Sequence, residues 1–129
     1  MKLEIQESKK NQLVYYEIDK LNEVGIDNCA ISEITLAELV FGAEKSDNPN
    51  KNHKLIEKFI GQMSILPIFD AIQTYGKEKA RLQSEGKMIS DFDLFIGCTS
   101  IENDLIIVTE NIKEFERIKG IKIENWVKR

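Results

Sequence analysis

Hydrophobic residues recur along this chain with two alternating periods, one typical of strands and one typical of helices. Short apolar or alternating runs predict strands at residues 29–32, 65–68, 105–108 and 121–123. Between them, apolar residues follow the i, i+3, i+4, i+7 spacing of helices that bury one face, as at Leu36, Leu39, Val40 and Ala43. This alternation predicts an α/β fold with a mostly parallel sheet sandwiched by helices.

The start of the chain and one later strand are less regular. Residues 1–5 alternate weakly, which predicts an edge strand or a frayed start, and residues 11–24 predict a helix that ends at Gly25. Pro67 cannot donate a hydrogen bond to a neighbouring strand, and it therefore favours an edge position for residues 65–68.

The helices of the second half differ in how much of their surface is polar. Residues 46–50 predict a loop, and Asp70 is expected to cap a helix that continues to Gly86. From Ser90 the sequence is apolar almost all round, which predicts a helix enclosed by other elements. A short helix is expected over residues 113–117.

Composition and charge limit the class of protein. A chain of 129 residues that is 42% hydrophobic fits a single domain over residues 1–129. No apolar run is long enough to span a membrane or to act as a signal peptide, so we expect a cytoplasmic protein. The net charge is -4 without a basic stripe, so binding of a nucleic acid would need a local positive charge such as a bound cation. Cys29 and Cys98 are far apart and are expected to be buried thiols.

Three groups of polar residues are predicted to meet at one edge of the sheet. Glu38 follows the strand at residues 29–32, Asp93 opens the enclosed helix, and Asn111 and Glu114 follow the strand at residues 105–108. Ligand sites in such sheets lie beyond the carboxyl ends of the strands. Each group also has a structural explanation, because Thr35 to Glu38, Ser90 to Asp93 and Asn111 to Glu114 match the capping-box pattern.

Two glycines and the apolar setting of Asp93 favour a ligand site over a purely structural role. Gly42 and Gly97 lie four residues after Glu38 and Asp93, which predicts open space beside each carboxylate, used for packing or for access. Asp93 interrupts an apolar segment and needs a partner or a metal to stay ionised. Converging oxygen ligands suit Mg²⁺ or Mn²⁺, whereas a single histidine and two isolated cysteines disfavour Zn²⁺.

Two neighbouring features stay open from the sequence. Asp91 cannot share the helix face of Asp93, so it either supports the site from behind or is an exposed acid. Two basic stretches either hold phosphates or form solvated helix faces: Lys77, Lys79, Arg81 and Lys87, which precede the acidic site, and Lys45, Lys51 and Lys54. The polar run around His53 predicts a solvated histidine.

Three motifs, in this order, resemble those of PIN-domain toxins of the VapC type: ISEITLAELVFGAEKS, ISDFDLFIGCTS and LIIVTENIKEFERIKGIKIENW. The resemblance covers about residues 29–126 and implies that Glu38 and Asp93 are catalytic metal ligands. It places Asn111 at the fourth-motif position as a further ligand, with Thr109 as a supporting hydroxyl. It also implies a Mg²⁺-dependent endoribonuclease, often directed at tRNA, that forms a homodimer and is inhibited by a VapB-like antitoxin.

The first motif of that family is missing. Relatives end their first strand in an aspartate that binds the metal, whereas this chain begins MKLEIQESKKNQLVYYEID and has no aspartate before Asp19, which falls inside the predicted first helix. Glu4 or Glu7 could replace it. The alternative is that the first strand has been lost or altered by truncation, a changed start site or gene decay.

Two functions follow from this departure. One is an RNA-cleaving enzyme in which Glu38 and Asp93 hold a metal that activates water. The other is a PIN remnant that binds an antitoxin without turnover. A phosphoacceptor receiver domain is disfavoured, because it needs an aspartate at the end of a central strand and a lysine late in the sheet.

Overall fold

The computed structural model describes the backbone of residues 3–5 and the whole of residues 29–125. The predicted helix over residues 11–24 and the residues Glu7, Asp19 and Gly25 lie outside the described residues. Among the described residues, every helix is too short or too polar to span a membrane.

A five-stranded parallel sheet forms the centre of the molecule, in the order β3-β2-β1-β4-β5. Its strands are β1 Leu3–Ile5, β2 Cys29–Ser32, β3 Ser64–Leu66, β4 Ile106–Val108 and β5 Ile123–Glu124. The edge position of β3 is confirmed. The prediction of an edge or frayed β1 is wrong, since β1 pairs with both β2 and β4. Three residues are too few for their polarity to reveal how many neighbours a strand has.

The helices connect these strands and lie on both faces of the sheet, which confirms the predicted α/β fold. They are α1 Glu33–Glu44, α2 Pro49–Ile60, α3 Ile72–Ser84, α4 Asp91–Glu102 and α5 Ile112–Phe115, with a 3-10 turn at Phe69–Ala71. Pro49 opens α2 after the capping residue Asn48, so the predicted loop ends earlier than expected. Asp70 lies within the 3-10 turn and caps no helix, contrary to expectation.

Consecutive residues of β4 enter two separate cores. Ile107 packs in a cluster with Leu94, Ile96, Phe115 and Ile118, whereas Val108 packs with residues of β2 and α1: Cys29, Ile31, Leu36 and Leu39. Side chains alternate across a strand, so the sheet is covered on both faces. Cys29 and Cys98 are fully buried thiols, as predicted.

Candidate functional site

A buried pair of hydroxyls fixes the start of α1. Ser32 is both the last residue of β2 and the N-cap of α1, and its Oγ accepts a hydrogen bond from the Thr35 backbone N–H at 3.0 Å. The same Oγ donates to Thr35 Oγ1 at 3.1 Å. The predicted capping box from Thr35 to Glu38 is therefore wrong, because the cap lies three residues earlier. Glu38 lies in the second turn of α1, where it has no capping role.

The first turn of α4 is capped as the sequence predicts. Ser90 Oγ accepts a hydrogen bond from the Asp93 backbone N–H at 3.2 Å. In chain order α4 follows α3 and not a strand, and a short connection reverses the chain from α4 into β4. Because α4 therefore runs antiparallel to β4, its N-terminus reaches the carboxyl edge of the sheet by a different route from the one predicted.

The carboxylates of Glu38 and Asp93 form the electrostatic centre of this edge. Glu38 is half-buried, and its Oε1 is shielded from solvent without a hydrogen-bond partner among the described residues. Burial, and then the negative charge of Asp93, raise the pKa of Glu38 above its usual value. A shielded oxygen beside a second carboxylate is unfavourable unless a cation or a proton compensates the charge.

The side chains at this edge carry the oxygen atoms that a divalent cation binds, but few of them are carboxylates. No three acidic, histidine or cysteine side chains converge within the part of the chain that the structure describes. Glu38 and Asp93 supply carboxylate oxygens, which Mg²⁺ and Mn²⁺ prefer. A further carboxylate would have to come from elsewhere, and the predicted sources are Glu4 and Glu7. Of Glu4 only the backbone is described.

The end of β4 brings Thr109 and Asn111 to the same edge. The nearly buried Thr109 accepts a hydrogen bond on its Oγ1 from the Asn111 backbone N–H at 3.0 Å. Asn111 precedes α5 but its side chain caps no helical N–H, so the predicted capping box from Asn111 to Glu114 is wrong. Asn111 and Glu114 are both half-buried. The roles of Asn111 as a ligand and of Thr109 and Glu114 as supporting groups stay predictions.

Asp91 is held by α3. Its Oδ1 accepts hydrogen bonds from Tyr75 Oη at 2.9 Å and from Lys79 Nζ at 2.8 Å. Both contacts lower the pKa of Asp91, and the hydrogen bond from Lys79 has the larger effect. Tyr75 also stacks on Phe95, with 3.9 Å between ring centroids. The sequence did not predict this network, although Tyr75 and Lys79 have the i, i+4 spacing of neighbours on a helix.

Gly97 leaves no open space beside Asp93. A Cβ atom there would collide with Ile118 Cδ1 and would lie 3.3 Å from Ile121 and 3.4 Å from Phe115. Of the two uses predicted for this glycine, packing is therefore the one observed. Gly42 is half-buried in α1.

Two of the predicted basic or polar groups are already engaged. Arg81 donates to Glu78 and Glu85 and to the backbone oxygen of Arg117, so its guanidinium is not free for a phosphate. His53, predicted to be solvated, lies 2.9 Å from Glu44 Oε1. Glu78 and Glu85 have the i, i+3 and i, i+4 spacing of helix neighbours of Arg81. The contacts of Arg81 with Arg117 and of His53 with Glu44 depend on how the elements pack, which their local sequence does not reveal.

Known proteins resemble this chain in sequence. The family model of the PIN domain matches residues 7–121. Ribonuclease VapC2 of Haemophilus influenzae is 40% identical over 98 residues, which are 75% of this chain and 74% of that protein. The tRNA(fMet)-specific endonuclease VapC of Shigella flexneri is 40% identical over 97 residues, which are 74% of each protein.

Solved structures resemble it over nearly its whole length. The crystal structure of DNA-bound VapBC from Salmonella typhimurium contains a chain that matches with a TM-score of 0.86 and 31% identity, covering 98% of this chain and 99% of that one. VapBC-1 from nontypeable Haemophilus influenzae matches with a TM-score of 0.82 and 28% identity, over 99% and 100% of the two chains. This chain therefore belongs to the PIN-domain family, among the toxins of the VapC type.

Proposed function

We propose that this chain is an endoribonuclease that depends on Mg²⁺ or Mn²⁺ and that Glu38 and Asp93 hold the cation. The observation that carries the proposal is the shielded Oε1 of Glu38, which has no hydrogen-bond partner among the described residues and lies near the charge of Asp93. Two relatives are named as a ribonuclease and as a tRNA(fMet)-specific endonuclease, which supports RNA, and tRNA in particular, as the substrate class.

Each residue of the site has a distinct part in this proposal. Glu38 and Asp93 provide carboxylate oxygens from two different helices, and the capping serines Ser32 and Ser90 fix the first turns of those helices. Thr109 fixes the backbone at Asn111, whose amide oxygen is the third proposed ligand. A bound divalent cation would neutralise charge on the phosphodiester and lower the pKa of an attacking water.

The remaining acidic ligand is proposed to come from the N-terminal segment. β1 ends at Ile5, which is paired in register with Val108, directly before Thr109. Glu7 follows Ile5 by two residues in the sequence. The proposed source of the remaining carboxylate is therefore Glu4 or Glu7.

Partners follow from the solved relatives. Chains that resemble this one were crystallised as VapBC complexes, which supports a VapB-like antitoxin as the partner. A homodimer and a cytoplasmic location complete the proposal. Co-expression with a VapB-like antitoxin, followed by affinity purification through this chain, tests the partnership directly.

The experiment that tests the enzyme is RNA cleavage by the purified chain with Mg²⁺ or Mn²⁺ and with EDTA. Cleavage should require the metal and disappear in Asp93→Asn. A matched control is Asp104→Asn, because Asp104 is exposed, lies next to the opposite end of β4, and has a positive φ of 52° that asparagine tolerates. Cleavage that persists in EDTA, or that is lost equally in both variants, would reject the proposal.

The second candidate is a PIN protein that binds an antitoxin without turnover. The observation in its favour is that no aspartate precedes Asp19, so the first-motif ligand of the family is absent. In that case the antitoxin should bind tightly and RNA should stay intact in the presence of Mn²⁺. Glu7→Asp should then create cleavage.

A further inference from the structure

Lys79 is held in a fixed position over the first turn of α4. Its Nζ lies 2.8 Å from Asp91 Oδ1 and 3.2 Å from Tyr75 Oη. Asp91 precedes Asp93 by two residues in the same helical turn. The ammonium group of Lys79 therefore lies at the first turn of the helix that carries Asp93.

One hydrogen-bond donor of this ammonium group is not used by the two contacts. A lysine ammonium carries three N–H donors, and Asp91 and Tyr75 accept from two of them. The side chain remains 36% exposed. A ligand that approaches from solvent can thus accept the third hydrogen bond while Asp91 and Tyr75 keep the ammonium group in place.

Other cations of α3 are less suited to this task. Arg81 is engaged by two glutamates and a backbone oxygen. Lys77 is exposed and lies two residues from Lys79, so it projects from a different side of α3. Lys79 is the basic residue of α3 that direct contacts fix to the helix carrying Asp93.

A purely structural role explains the lysine less well. The hydrogen bond from Tyr75 to Asp91 and the stack of Tyr75 on Phe95 already join α3 to α4. An exposed ion pair adds only about 0.2–1 kcal/mol to such a contact. A chain with a net charge of -4, by contrast, needs local positive charge to bind a polyanion.

We propose that Lys79 binds a backbone phosphate of the RNA substrate next to the one that is cleaved at Glu38 and Asp93, with Asp91 and Tyr75 as its positioning residues. This inference rests on the proposed ribonuclease function. The ligand group is a phosphodiester oxygen, so the contact is independent of base sequence.

The test compares Lys79→Gln with the matched control Lys77→Gln, using a fluorescently labelled single-stranded RNA oligonucleotide. In cleavage assays with Mg²⁺, Lys79→Gln should raise KM by up to roughly fivefold, as expected for an exposed charge contact, and leave kcat unchanged. The slope of log KM against log salt should fall by about 0.7, the value for one phosphate of a single strand. Lys79→Arg should restore both, and Lys77→Gln should behave as the wild type.

Two results would overturn the inference while the enzyme remains active. Equal effects of Lys77→Gln and Lys79→Gln would indicate an effect of net charge alone. A lower kcat with unchanged KM in Lys79→Gln would indicate that the lysine only stabilises the position of α4.

RNA binding measured by fluorescence anisotropy in EDTA separates this inference from the proposed function. If the wild type binds RNA but never cleaves it, and Lys79→Gln binds RNA more weakly than the wild type, the phosphate contact would be supported and the nuclease rejected. Cleavage that does not depend on Lys79 would reject the contact and keep the nuclease. A wild type that neither binds RNA in EDTA nor cleaves it with Mg²⁺ would reject both.

Discussion

Gly97 of α4 lies so close to Ile118 that a Cβ atom at position 97 would collide with the Ile118 side chain. Ile118 is 1% exposed and packs in the same core as Phe115 and Leu94. The glycine therefore lets the segment after α5 pack directly against α4. The first turn of this same helix carries Asp93.

Gly97→Ala is expected to destabilise the protein by about 1–3 kcal/mol, because a buried isoleucine must move to admit the methyl group. Gly76→Ala is the matched control: Gly76 is also helical, but a Cβ there meets no atom within 4 Å. That change should stabilise by up to about 1 kcal/mol through helix propensity. Urea unfolding of both variants measures the difference, and equal stabilities would contradict the packing described for Gly97.

The cap of α1 provides a second prediction. Ser32→Ala removes the oxygen that accepts from the Thr35 N–H and leaves the buried Thr35 hydroxyl without this partner. Loss of an N-cap costs about 0.5–2 kcal/mol, and the buried setting favours the upper half of that range. The free energy of unfolding in urea should fall accordingly. Ser84→Ala, a change at an exposed serine near the end of α3, serves as the control and should have a smaller effect.

The strands and the enclosed helix could be predicted from the sequence because their signals are local. Continuous apolar runs indicate β2 and β4, and the uniform apolarity after Ser90 indicates α4. The central position of β1 could not be predicted, since three residues carry little information about their neighbours. Likewise, the sequence predicts Ser32 only as the end of a strand, and its contact with Thr35 identifies it as the cap of α1.

The candidate site was predictable in its acids and less so in its surroundings. Glu38 and Asp93 stand out because a carboxylate in an apolar setting needs an explanation. The bridge from Asp91 to Tyr75 and Lys79 depends on the way α3 packs against α4, which no local pattern encodes. Open space beside Asp93 was inferred from glycine alone, and the packing of Ile118 against Gly97 excludes it.

Cys98 should be unreactive in the folded protein. Burial is the main cause that raises the pKa of its thiol to about 12, with smaller contributions from Glu78 and Glu102. The thiolate is the reactive form, so alkylation by iodoacetamide at pH 8 should require unfolding. Mass spectrometry of native and urea-unfolded samples after equal exposure measures this. Rapid labelling of Cys98 in the native sample would contradict its burial.

Glu38 should make the metal-free protein sensitive to pH. Its pKa is raised in the folded state, so the folded protein holds this proton more tightly than the unfolded chain does. The contribution of Glu38 to stability is therefore lost as the pH rises above the unfolded value near 4.5. Glu38→Gln in EDTA should be more stable than the wild type at pH 7 by on the order of 1 kcal/mol, the cost of one buried oxygen that has no hydrogen-bond partner among the described residues.

That gain in stability should disappear below about pH 4, where Glu38 is protonated in both the folded and the unfolded wild type. Glu57→Gln, at an exposed residue of α2, is the control and should change stability little at either pH. Thermal unfolding monitored by circular dichroism provides the comparison. A Glu38→Gln variant less stable than the wild type at pH 7 in EDTA would show that Glu38 has a stabilising partner.

Binding of Mn²⁺, measured by titration calorimetry at pH 7, tests the cation site most directly. The wild type and the Asp104→Asn control should bind the ion with the same affinity, whereas Glu38→Gln and Asp93→Asn should each weaken binding by at least about tenfold. Unchanged affinity in both of these variants would contradict the assignment of Glu38 and Asp93 as the residues that hold the metal.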